Sequence, residues 1–230
     1  MIFIIVLLSL LVMYAITVSL MRYMRNVKIA NLIFFGLTFG VYIVYVFMVY
    51  SDVGAESIYF HGVLATANIS PFMFTVLPII YFSRGKLKEY LYLLVSLLSV
   101  GMFFSPFFNA ISYAVSGVPF HVIPVLDYVG HLSLSLWGIY LVRSGQVTLN
   151  PKKALTSGLI IVGVADIMLV LNLIFDTAFF GLSLKGKHNI YGNVLTENSY
   201  LSAIIYFAGL AVILLLGYAS ARLIEKHKIT

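Results

Sequence analysis

The sequence predicts an all-α membrane protein: a seven-transmembrane-helix bundle with its N-terminus outside and its C-terminus in the cytoplasm. Three observations predict it. Seven apolar runs of about 17 to 24 residues follow one another along the chain, and a helix rising about 1.5 Å per residue needs about 20 apolar residues to cross a hydrocarbon core of about 30 Å. The connectors on one side of these runs hold twelve of the fourteen Lys and Arg residues. A hydrophobic share of 62%, a charged share of 10% and a mean hydropathy of +1.05 leave too little polar surface to coat a soluble globule of 230 residues.

The first run, Ile2 to Leu20, starts without a basic n-region and ends at Arg22 with no small-x-small site, so it is expected to be a retained span and not a cleaved signal peptide. Arg22, Arg25 and Lys28 separate it from the second run, Ala30 to Tyr50, where Gly36 and Gly40 have the GxxxG spacing of closely packed helices. The third run, Leu64 to Phe82, contains Pro71 and Pro78, each of which removes an N–H and frees a carbonyl one turn earlier. Together with Asn68, Ser70 and Thr75 it reads either as a kinked cavity wall or as an ordinary membrane helix whose hydroxyls bond back to their own backbone. Arg84, Lys86 and Lys88 precede the fourth run, Tyr90 to Phe107, and the outside connector Ser105 to Pro119 leads to the fifth, His121 to Val142. Arg143, Lys152 and Lys153 precede the sixth, Ala154 to Phe175. After the outside connector Asp176 to Ser199 comes the seventh, Tyr200 to Ala219, followed by Arg222, Lys226 and Lys228. Only Lys185 and Lys187 fall on the opposite side, so the positive-inside rule orients the chain at four separate connectors and places it in the cell membrane as a multi-pass protein. With no long connector, low-complexity tract or internal repeat, residues 1–230 read as a single polytopic domain.

Composition excludes several classes. The net charge of +6 is accounted for by topology, and no aromatic-interleaved basic stripe accompanies it, so membrane lipids and no nucleic acid are the expected partners. Zero Cys removes disulfides, thiolate metal sites and a Cys nucleophile. His61, His121 and His188 lack any ligand spacing, so neither a metal nor another cofactor is expected. Seven helices and about 230 residues suit a microbial rhodopsin, but the seventh run contains no Lys for a Schiff base, which excludes retinal. Oligomeric state has no signature in the sequence.

Function in such a chain is sought among polar groups at membrane depth, where each is costly. Asp127, His131 and Ser135 recur every four residues in the fifth run and form one helical stripe, with Ser133 and Trp137 close by. A carboxylate one turn from an imidazole can accept its ring N–H and raise its basicity, as a general base requires; alternatively Asp127 lies at the outer interface and His131 bonds a carbonyl or a Tyr. Asp166 is the acidic residue deepest in an apolar run and needs a partner, a proton or water. His131 is one candidate partner, and Asn172 follows on a different face.

Several short signatures occur in order. Ser70-Pro71-Phe72-Met73-Phe74-Thr75 is followed by a basic connector, Ser105-Pro106-Phe107, Gly130-His131, Leu141-Val142-Arg143, Pro151-Lys152-Lys153, Asn172 and Asn189-Ile190-Tyr191-Gly192. From Asn68 to Tyr218 the chain resembles the YwaF-like bacterial integral membrane proteins, whose third-span motif is of Pro-Leu-His-Leu-Cys type. The resemblance implies kinship with eukaryotic transmembrane phospholipid acyltransferases and, more distantly, with fatty-acid ester hydrolases, in which a His of a later helix works with a Cys or Thr of an earlier one. The family His falls on His131; the nucleophile falls on Phe72 or, one turn on, Thr75, and Met73 replaces the motif's own His. On this reading Thr75, or failing it Ser70, attacks an ester carbonyl, His131 takes the proton and Asp127 orients the ring. Asn68 or Asn189 would stabilise the oxyanion, while Asp166 and Asn172 line the substrate path. Two other readings stand beside this membrane acyltransferase or lipid esterase: a proton- or cation-coupled transporter or channel using Asp166 and His131, and a non-catalytic receptor or scaffold binding through outer-loop residues such as Lys185, Lys187, His188 and Asn189.

Overall fold

Apolar runs without ladder partners satisfy their backbone groups only as helices, and local signals set where each helix begins and ends. The computed structural model describes residues 2–54, 69–115, 122–175 and 199–227. Among them lie seven α-helices: α1 Ile2–Leu20, α2 Val27–Val53, α3 Ile69–Phe82, α4 Gly85–Val115, α5 Val122–Arg143, α6 Pro151–Phe175 and α7 Ser199–Glu225, with a 3-10 turn at Met21–Tyr23. Asn26 caps α2 by accepting a hydrogen bond from the Ile29 N–H at 3.2 Å. Gly54, at φ 77°, ends α2 with its N–H on the Tyr50 carbonyl, a conformation that a side chain would strain. Asn150 caps α6, accepting from the Lys152 N–H at 2.9 Å, and Pro151 takes the first helical position, where its missing N–H costs nothing.

Among the described residues five helices are long and apolar enough to cross a membrane, α2 and α4 to α7. This suits a multi-pass membrane protein. The described parts of the other two apolar helices are shorter, Leu8–Tyr23 and Ile69–Phe82; residues 64–68 of the expected third span lie outside the described residues. Pro71 sits in the first turn of α3, where it interrupts nothing, and the helix continues through Pro78.

Centrality is unequal. Of the most apolar stretch of α5, 61% is buried, against 11% for α7, so α5 is an axis and α7 presents most of its surface outward. α5 packs most broadly on α4 and then α2, and also touches α1 and α7. Close approach of α4 and α5 depends on Gly138: a Cβ there would lie 2.8 Å from Ser99 Cβ and 2.9 Å from the Val95 carbonyl oxygen. Ser96 Oγ uses this proximity to donate to the Gly138 carbonyl at 3.1 Å. Gly217 serves α7 likewise, facing the Leu97 backbone of α4. The GxxxG expectation finds no close crossing within the bundle, because among the described residues nothing lies within 4 Å of a Cβ added at Gly36 or Gly40. Those glycines face away from the bundle's helix contacts, and the close crossings use Gly138 and Gly217. Large apolar side chains such as Phe47, Leu159, Ile204 and Leu215 lie more than half exposed on the outer faces, as lipid-facing helices require.

Candidate functional site

The Asp127–His131 spacing produces a real contact on α5. His131 is 4% exposed, and its Nδ1 lies 2.7 Å from the Asp127 carbonyl oxygen and 3.2 Å from Asp127 Oδ1. A carbonyl oxygen can only accept, so Nδ1 carries a proton and donates it there, with the carboxylate as a second, longer acceptor. Over the ring stands Phe74 of α3, edge to face at 5.2 Å and 87°. Tyr42 of α2 stacks on Phe74 at 5.3 Å, and Gly130 leaves room beneath the Phe74 edge. The imidazole is thus packed among an aromatic pair and its own helix backbone.

The hydroxyl expected beside it is elsewhere. Thr75 Oγ1 donates to the Pro71 carbonyl at 2.9 Å and lies 3.0 Å from Tyr42 Oη, so no hydrogen bond joins Thr75 to His131. The cause is helical geometry: neighbours on a helix diverge by about 100°, and Phe74 occupies the direction that faces α5. Thr75 is exposed and opens onto an apolar cleft of about 490 Å³ walled by α2 residues including Phe39, Tyr42 and Phe47. Ser70, on another side of α3, borders a cleft of about 360 Å³ between α3, α4 and α7, formed with Leu98, Gly101, Tyr206, Gly209 and Ile213. The hydroxyl oxygen of Tyr206 is buried without a hydrogen-bond partner among the described residues.

Asp166 does not pair with His131. It stands exposed on α6, with Ile167 and Val170 exposed beside it, while His131 is committed to Asp127. Asn172 is buried at 3% exposure. Asn68 and Asn189, together with Lys185, Lys187 and His188, lie outside the described residues. Among the described residues no three His, Cys, Asp or Glu side chains gather as a metal site would need.

One polar cluster was not anticipated. Asn31 of α2 donates to Gln146 Oε1 at 2.6 Å and accepts from Trp137 Nε1 at 3.0 Å, and Gln146 Nε2 donates to Ser144 Oγ at 2.8 Å. Nearby, Tyr140 Oη donates to the Met24 carbonyl at 2.9 Å, and Arg143 Nη1 to the Val18 carbonyl at 2.6 Å. Its members come from distant parts of the chain, and the only signal available was their rarity, a lone Trp and a lone Gln in 230 residues. The cluster fastens α2 and the α1–α2 turn to α5. Its donors and acceptors satisfy one another, which is a structural arrangement and not a catalytic one.

Comparison with known proteins gives no match: no family model, no curated protein and no solved structure corresponds to this chain.

Proposed function

We propose that this chain is a non-catalytic membrane protein of seven spans, N-terminus outside, that holds the acyl chain of a lipid in the cleft between α3, α4 and α7. The observation carrying this reading is the cleft itself. It is about 360 Å³, within the size of small-molecule sites, is bordered mainly by apolar groups and glycines, and has beside it a buried phenol without a partner among the described residues. A buried hydroxyl left unpaired costs about 1–3 kcal/mol, and an acyl carbonyl oxygen in the cleft would give it an acceptor once the Tyr206 ring turns toward the cleft. The YwaF-like resemblance agrees in substrate class, since those relatives handle acyl chains. Phe72 and Met73 occupy the motif positions where the family has reactive groups, and the nearest hydroxyl candidate, Thr75, is bonded to Tyr42 and Pro71. Both departures favour binding over acyl transfer.

A fatty acid carrying a photoreactive diazirine, applied to the protein in bilayers and mapped by mass spectrometry, tests the reading. Labels are expected on Leu98–Met102 and Ile205–Ile213. Gly209→Leu, at a position where nothing lies within 4 Å of an added Cβ, is expected to cut labelling about tenfold without lowering the unfolding temperature. Tyr206→Phe should weaken competition by fatty acids and esters but not by alkanes. Label spread evenly over the exposed faces of α2, α6 and α7 would overturn the site, and acyl release dependent on His131 and Thr75 would restore the enzymatic reading.

A further inference from the structure

Asp166 is out of place for a helix bathed only in lipid. It lies fifteen residues from Pro151 and nine from Phe175 in α6, or about 22 Å and 14 Å from the two ends at about 1.5 Å per residue. The carboxylate is therefore well inside the span. Its neighbours on the outer face are Leu159, Ile167, Val170 and Leu173, exposed by 43% to 59%, and Asp166 is exposed with them. The other described carboxylates are accommodated. Asp127 contacts His131, Glu89 is bonded to Lys153 at 2.7 Å, Glu225 to Arg222 at 3.1 Å, and Asp52 lies at the end of α2. Asp166 has no ion pair or hydrogen bond among the described residues.

Ionisable groups at membrane depth almost always face a bundle interior, water or a countercharge, and no described part of this bundle covers Asp166. The geometry points to the outer face of α6 around Asp166 as a docking surface for a transmembrane helix of another protein that carries Arg or Lys at mid-depth. Charge decides between such a partner and a second copy. Within the described helices of this chain Lys and Arg occupy only the end turns: Lys28 in α2, Lys86 and Lys88 in α4, Arg143 in α5, Lys152 and Lys153 in α6, and Arg222 in α7. Among the described residues a second copy would thus offer no Lys or Arg at that depth. Gly163, one turn before Asp166, has nothing within 4 Å of an added Cβ, which lets an approaching helix come near the α6 backbone.

Energy transfer in phosphatidylcholine bilayers tests this, between the donor-labelled full chain and acceptor-labelled Leu-rich transmembrane peptides with a central Arg, Leu or Glu. The Arg peptide is expected to associate about tenfold more tightly than the Leu peptide. Asp166→Asn should abolish that preference, Asp166→Glu should retain it, and Asp166→Arg should transfer it to the Glu peptide. Because the side chain is exposed, these variants should fold, which an unchanged unfolding temperature verifies. Equal association of the Arg and Leu peptides would overturn the proposal. So would association between two labelled copies that depends on Asp166, which would make the occupant a second copy.

Discussion

Replacing Gly138 with Ala tests whether backbone proximity of α4 and α5 holds the bundle together. The added Cβ would stand 2.8 Å from Ser99 Cβ, 2.9 Å from the Val95 carbonyl oxygen and 3.2 Å from Ser96 Cα. Two of these three atoms are backbone and the third is a Cβ, so none can rotate away, and the helices must separate by about 0.5–1 Å to restore ordinary contact distances. Overpacking of this kind costs about 1–3 kcal/mol. The Ser96 hydrogen bond to the Gly138 carbonyl, 3.1 Å long, would weaken by up to about 1 kcal/mol, and alanine's better helix propensity offsets about 1 kcal/mol. A net loss of about 2 kcal/mol follows, which for a chain of this length lowers Tm by about 4–8 °C. Gly163→Ala is the control, since nothing lies within 4 Å of its added Cβ; it should leave Tm unchanged or raise it by a few degrees. Thermal unfolding of both variants in the same detergent decides the matter. Equal stability of the two would refute the packing argument.

Trp137→Phe removes the N–H that Asn31 Oδ1 accepts at 3.0 Å and leaves that oxygen only a 3.4 Å contact with Gln146. It should destabilise by about 1–3 kcal/mol in denaturant titration, and adding Asn31→Leu should not recover the loss, because it also takes the 2.6 Å Asn31 donor from Gln146 Oε1. Topology can be checked directly because the chain has no Cys of its own. A single Asp52→Cys should react with an impermeant maleimide on intact cells, and Lys152→Cys only after permeabilisation.

Hydropathy made the helices legible and left their ends obscure. The span read as Ala30 to Tyr50 forms a helix over Val27–Val53, and that read as Tyr90 to Phe107 extends over Gly85–Val115. Charged turns such as the one bearing Lys86, Lys88 and Glu89 are helical yet fall outside an apolar window. The contact between Asp127 and His131 was legible because it obeys a spacing within one helix. His131 could not be joined correctly to a distant hydroxyl, because that depends on the rotation of α3 about its axis, and Phe74 takes the facing position. The same limit hid the Asn31–Trp137–Gln146 cluster. It also left open whether Asp166 meets a partner, a proton or water, since depth in a span is a property of sequence whereas the face presented is a property of packing.

The bonds that fasten α5 to earlier parts of the chain bear on how the protein is made. Tyr14 of α1 meets Ser135, Asn31 of α2 meets Trp137, and the carbonyls of Val18 and Met24 receive Arg143 and Tyr140. Each of these residues leaves the ribosome long before its partner on α5. The first four helices must therefore wait in the bilayer with these bonds to α5 unmade, loosely associated and open to quality control. Arrival of the fifth helix completes the bonds to α1, α2 and the turn between them, and so joins the two ends of the first five helices before α7 packs on α4 through Gly217.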